Sequence, residues 1–121
     1  MAKKVVIDAG HGGADGGSSG NGILEKEYTL KISNYIKKRL DELGIENSMT
    51  RTSDELLDQT TRPKRAQSFY GNGSDVIVLS NHLNAGGGDG SCGKLTFFEK
   101  NRQVSIQSLI KYTYFLNYKT Y

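Results

Sequence analysis

At 121 residues, with 36% of them hydrophobic and a formal net charge of +3, the chain has room for one small domain and none for a second. The longest apolar run, residues 76–79, is far short of the roughly 20 residues that cross a bilayer, and Met1-Ala2-Lys3-Lys4 leads into a strand-like block without a signal-peptide core; the expectation is a soluble protein made in the cytoplasm, with no membrane insertion. The single cysteine, Cys92, excludes an internal disulfide and a cysteine-based zinc site, so nitrogen and oxygen must hold any metal.

Charge is unevenly placed. Residues 1–90 carry 11 Lys+Arg against 12 Asp+Glu, residues 91–121 carry 5 against 1, and fourteen of the fifteen glycines lie in the first part. Composition therefore breaks near residue 90, and a nucleic-acid partner has no support beyond a short basic tail.

Lys3-Lys4-Val5-Val6-Ile7-Asp8-Ala9 reads as a short buried strand, an unalternated apolar run bounded by charge and glycine. Residues 10–22 hold seven glycines, too many to pack a core, and predict an exposed, tightly turning loop. From Glu25 the period becomes 3.6, with Tyr28, Ile32, Tyr35, Ile36, Leu40 and Leu43 forming an apolar face and Gly44 in a capping position. Residues 45–51 alternate enough for a second, more exposed strand. Residues 62–70 suit a second helix, with Pro63 in its first turn and Gly71 after its end. Residues 75–80 make the strongest strand, a β-branched run buried on both faces, and a glycine-rich loop follows at 85–90. The β-α-β-α-β order predicts an α/β domain with a mainly parallel sheet flanked by helices.

Open parallel sheets bind ligands at the carboxyl ends of their strands, and both histidines fall there. His11 follows the first strand by two residues and His82 follows the third by two, so a 2-1-3 strand order makes the imidazoles converge. Two neutral imidazoles supply two corners of a tetrahedral zinc site, to which a catalytic zinc commonly adds a carboxylate. Glu25, opening the first helix at the same sheet edge, is the best third ligand. Glu27 competes for that role, and either acid also suits the positive end of a helix dipole. Asp8 and Asn84 flank the histidines and are expected as acceptors that fix an imidazole tautomer, or simply as strand ends. Phosphate binding fails its motif test: Asp15 stands where the third glycine of a G-x-G-x-x-G loop after the first strand belongs, and no Gly-Lys-[Ser/Thr] follows a strand. Cys92 has no histidine near it in sequence and reads as an ordinary thiol.

These residues resemble the zinc-dependent N-acetylmuramoyl-L-alanine amidases of bacterial cell-wall hydrolases and phage lysins. Four blocks in the same order carry the resemblance: Val6-Ile7-Asp8-Ala9-Gly10-His11-Gly12-Gly13 with Asp15 and Gly17, Gly22-Ile23-Leu24-Glu25-Lys26-Glu27, Thr50-Arg51, and Leu79-Ser80-Asn81-His82-Leu83-Asn84-Ala85. The resemblance implies an amidase/phosphorylase-like α/β fold. It also implies that His11, Glu25 and His82 are the three ligands of a Zn2+ ion that polarises the muramoyl–L-alanine amide and acidifies a water to a pKa of roughly 7. The implied partner is peptidoglycan.

The resemblance covers about residues 3–90. The general-base glutamate implied by the family has no match in residues 91–121, where Glu99 is the only acid, and the tail suggests a truncated or frame-shifted reading of an amidase. The contrary expectation is a genuine C-terminus with a strand at 95–98 and a helix at 104–116. An incomplete sheet would favour self-association through an open edge. Two functions follow as expectations, cell-wall amidase of a phage or prophage lysin, or an inactive remnant that binds zinc or wall. Asp15, Glu27 and Asp89 are the acids of the first 90 residues that would have to replace the missing base.

Overall fold

The computed structural model describes residues 2–83 and the backbone of two later strands. Its elements are β1 (Lys4–Ala9), β2 (Ser19–Gly20), β3 (Ile23–Leu24), α1 (Glu25–Glu42), β4 (Asn47–Met49), α2 (Thr61–Tyr70), β5 (Val76–His82), β6 (Lys94–Glu99) and β7 (Arg102–Ser105). The main sheet has the order β4-β1-β5-β6-β7. Its first three strands are parallel, in the 2-1-3 arrangement, and β6 and β7 add antiparallel. The sheet is therefore mixed, with a parallel half that carries both helical crossovers.

β1 is the centre of the parallel half, with β4 and β5 beside it and a helix on each face. Alternate residues point opposite ways: Val5 and Ile7 pack with Met49, Leu79 and the α1 residues Leu30, Ile36 and Leu40, whereas Val6 packs with Val76 and Ala66 of α2. Burying Ile7 completely contributes about 1.5–3 kcal/mol before entropy is counted. β5, expected to be the most buried strand, is only partly covered at Ile77, Val78 and Ser80. It also runs two residues further than the β-branched stretch suggests, so His82 ends the strand instead of following it.

The sequence pattern misses three local features. The glycine-rich stretch is not all loop: β2 and β3 pair antiparallel around Asn21-Gly22, both at positive φ (51° and 75°), the backbone a two-residue hairpin turn of primed type requires. The inward stripe of α1 is polar at its start, with Glu25, Thr29 and Ser33 buried while Tyr35 and Leu43 of the expected apolar face are exposed. That end of the helix lies over strand ends whose carbonyls need donors, and Thr29 Oγ1 bonds Gly10 O at 2.7 Å. Finally, the strand expected at 95–98 is present as β6, but residues 104 and 105 belong to β7 and not to a helix, because pairing with the edge of β6 outweighs local propensity. Asn84, Asp89, Cys92 and the rest of the expected helix lie outside the described residues, and no described helix is long and apolar enough to cross a membrane.

Candidate metal centre

The end of β1, the start of α1 and the end of β5 meet at one edge of the sheet. His11 Nε2 lies 3.0 Å from Glu25 Oε1, His82 Nδ1 lies 3.2 Å from the same oxygen, and the two imidazole nitrogens are 3.2 Å apart. Among the described residues this is the one group of three or more His, Cys, Asp or Glu side chains able to share an ion. The three atoms converge so that each offers one lone pair to a common point, an arrangement that could hold a cation. Zinc bonds of about 2.0–2.1 Å in a tetrahedron set neighbouring ligand atoms about 3.3–3.4 Å apart, so the observed separations of 3.0–3.2 Å would suit His11, Glu25 and His82 as ligands of such an ion.

Glu25 is the fixed point. It is 2% exposed, yet its carboxylate is charged: burial pushes its pKa up, but the N–H groups of Ser18 (2.7 Å) and Leu83 (2.8 Å) and the nearby His11 outweigh that and hold it below the usual range. The hairpin delivers it, with Glu25 N bonded to Ser18 O and Lys26 N to Gly16 O. Glu27, two residues on, is exposed and is not in the group of side chains that could share an ion.

His11 is oriented from its other nitrogen. Asp15 Oδ2 sits 2.8 Å from Nδ1, and Asp15 Oδ1 accepts the Gly17 N–H at 3.1 Å. A proton on Nδ1 bonded to that carboxylate leaves Nε2 free to ligate. The carboxyl of Asp15 is held below its ordinary pKa by these same two bonds, His11 first. Gly17 has to be glycine on two counts: φ is +67°, and a Cβ there would stand 2.6 Å from the His11 ring and 2.7 Å from Glu25 Oε2.

Asp8, expected beside the histidines, is instead buried beneath them. It takes hydrogen bonds from Thr50 Oγ1 and Arg62 Nη1 on Oδ1 and from Ser80 Oγ on Oδ2, at 2.7, 2.8 and 2.7 Å. Burial raises its pKa, and those three donors with the Arg62 charge bring it below the usual range. Its position on the α2 face of β1 points it away from the ligand triangle. Two arginines, the buried Arg51 and the half-buried Arg62, to which the sequence assigned no role in the site, cap the strand end: Arg51 bonds Ala9 O and Gly10 O (3.0 and 2.8 Å), and Arg62 bonds Ala9 O and His11 O (2.7 and 3.0 Å). The available signal was a cation directly after a strand and another in the first turn of the next helix, both at the ligand end of the sheet.

Glu99 stands elsewhere. β6 runs antiparallel to β5, pairing Lys94 with His82 and Phe98 with Val78, so Glu99 lies five residues along the strand from the level of His82, about 16–17 Å away at the usual strand rise.

The sequence model of a family described as N-acetylmuramoyl-L-alanine amidase matches residues 5–114. The chain is 40% identical over 89 residues to the N-acetylmuramoyl-L-alanine amidase CwlM of Bacillus licheniformis, covering 72% of this chain and 34% of that protein. It is 39% identical over 89 residues to the sporulation-specific N-acetylmuramoyl-L-alanine amidase of Bacillus subtilis, covering 72% and 33%. Among solved structures, the catalytic domain of CwlV, an N-acetylmuramoyl-L-alanine amidase from Bacillus (Paenibacillus) polymyxa var. colistinus, superposes with a TM-score of 0.63 at 33% identity over 74% of this chain and 49% of that one. The chain thus spans about a third of the length of these curated relatives.

Proposed function

The chain belongs to the N-acetylmuramoyl-L-alanine amidase family, and from that premise we propose that it hydrolyses the amide between N-acetylmuramic acid and L-alanine in peptidoglycan, with Zn2+ held by His11, Glu25 and His82. The observation that carries this reading is the 3.0–3.2 Å triangle of the three ligand atoms at the carboxyl ends of β1 and β5. The chemistry such an ion supplies is polarisation of a carbonyl and acidification of a water. The residues of the chain do the rest of the positioning. Glu25 keeps its charge through two backbone N–H groups and holds the centre's anionic corner. Asp15 keeps the Nδ1 proton on His11, so that Nε2 faces inward. Register makes Glu99 an unsuitable proton carrier, and of the described carboxylates only Glu25 and Asp15 bond the two histidines.

The test is release of new L-alanine amino termini, with loss of turbidity, from purified cell walls incubated with the full chain. Release that stops on chelation and returns with added Zn2+ is expected, and Glu99→Gln is expected to keep the rate. A chain that binds zinc but releases nothing would instead be the zinc- or wall-binding remnant, since absence of a general base costs about 10²- to 10⁴-fold.

A further inference from the structure

His11 is one of two described non-glycine residues at positive φ (59°), and the other, Asn21, sits in a hairpin turn made for that backbone. His11 has no such turn. Its left-handed backbone comes one residue beyond Gly10, which follows β1, and the side chain it carries has Nε2 3.0 Å from Glu25 Oε1 and 3.2 Å from His82 Nδ1. Such a backbone persists only where its surroundings over-determine it.

The surroundings here are guanidinium groups. β1 ends at Ala9, so the carbonyls of Ala9, Gly10 and His11 have lost the sheet ladder as a source of donors. Arg51 spreads its donors over Ala9 O, Gly10 O, Lys26 O, Ser53 O and Thr29 Oγ1, which knits α1 to the strand end. Arg62 is the one that grips the ligand residue itself: Nη2 donates to His11 O at 3.0 Å while Nη1 donates to Ala9 O at 2.7 Å and to Asp8 Oδ1 at 2.8 Å. A planar fork thus spans the residues on both sides of Gly10 and fixes their carbonyls relative to each other. The arrangement is costly, because burial first and the neighbouring Arg62 charge second both disfavour the charge on Arg51. Apolar residues of similar size would fill the space, but they would leave the His11 carbonyl without its donor.

We propose that Arg62 is a positioning residue of the metal centre, holding the His11 backbone in the left-handed twist that aims its Nε2 at the ion. The inference rests on the metal-site reading above and concerns affinity, not chemistry. Lysine at this position keeps the charge but not the fork, and one ammonium cannot reproduce the planar set of contacts to Ala9 O, His11 O and Asp8.

The experiment uses the full chain as wild type, Arg62→Lys, Arg62→Gln and Arg65→Gln. Arg65 is on the same helix but bonds Thr50 O and the Glu55 carboxylate, and neither His11, Glu25 nor His82, so its variant reports what loss of an α2 arginine does by itself. Zn2+ affinity is measured by competition with a chromogenic chelator, the Co2+ absorption spectrum reports ligand geometry, and thermal unfolding is followed without metal. Arg62→Lys is expected to bind Zn2+ about 10- to 100-fold more weakly, the usual range for a residue supporting a ligand, with a changed Co2+ spectrum; Arg65→Gln is expected to bind Zn2+ within about threefold of wild type with an unchanged spectrum. An Arg62→Lys protein that unfolds earlier yet keeps wild-type Zn2+ affinity and Co2+ spectrum overturns the proposal and leaves Arg62 a structural residue. Should Arg62→Gln not fold, Arg62→Lys alone decides by the same two readouts. Wild type that takes up neither Zn2+ nor Co2+ overturns the metal-site reading and this inference with it, a result distinguishable from the previous one.

Discussion

The two histidines reach the same point by opposite means. His82 is the last residue of β5, on regular strand backbone, with its side chain 44% exposed and bonded among the described residues only to His11 and Glu25. His11 lies beyond its strand, in a left-handed twist, with Asp15 on its other nitrogen, Arg62 on its carbonyl and Gly17 packed against its ring. A strand end delivers a side chain through the sheet ladder at no local cost, whereas a loop ligand needs a separate contact for each degree of freedom. The β1 end of the centre is therefore the built end, and the β5 end is the delivered one.

The largest effect expected treats both ends alike. Purified protein should hold about one Zn2+ per chain, and His11→Ala or His82→Ala should each abolish it, because two remaining protein ligands rarely keep zinc against dilution. Metal analysis after gel filtration checks this. Zinc retained in the double variant would mean that the triangle is not the site.

Removing the buried support under the β1 end should act on the fold more than on the metal. Asp8→Ala leaves the half-buried Arg62, and the Thr50 and Ser80 hydroxyls, without their carboxylate and is expected to cost about 2–3 kcal/mol, read from denaturant unfolding. The pH dependence follows from the same contact. The Asp8 pKa is lowered in the folded protein, so its contribution is present above the unfolded value near 4 and is lost as pH falls through the lower folded value. Wild type should lose stability below about pH 4, and Asp8→Asn should be flatter in that range.

How much of this was legible in the sequence follows the same division. At the delivered end the strand and its place in the sheet were legible from the β-branched residues of β5, but its length and burial were not, since it runs on to His82 and is only partly covered. Glu25 was preferred, with Glu27 as its competitor, on helix position alone, because the hairpin that sets the phase of α1 was not visible, its Asn21-Gly22 signal being hidden among other glycines. The built end was mostly invisible. Asp8 looked like a partner for a histidine because it is near in sequence, but strand alternation turns it to the α2 face, and Arg62 arrives there from 54 residues away. Long-range polar contacts to backbone carbonyls leave no periodic trace in a sequence.

Asp15→Asn sharpens the comparison by removing one support at the β1 end while leaving all three ligands. The amide is a weaker acceptor for the Nδ1 proton and carries no charge, so Zn2+ affinity should fall about 10- to 100-fold. Chelator competition measures it. The β5 end offers no equivalent position among the described residues, since the ring of His82 is bonded there only to the other two ligands. An unchanged affinity would mean that His11 is held by its backbone alone.

The smallest effect separates two acids in one helical turn. Glu25 and Glu27 both open α1, but two residues rotate a helix by about 200°, which buries the first against the histidines and leaves the second in solvent. Glu27→Ala should cost about 0.3–1 kcal/mol of stability, the usual contribution of an exposed first-turn acid to the helix dipole, and that loss should shrink in high salt. Zn2+ affinity should stay within about threefold of wild type, since no residue of the metal centre bonds to Glu27. Glu25→Ala, by contrast, removes the charged ligand and should lower affinity far more. A Glu27→Ala protein that lost zinc as fully as Glu25→Ala would put the start of α1 out of phase with the site, and the hairpin at Asn21-Gly22 would then be the element to re-examine.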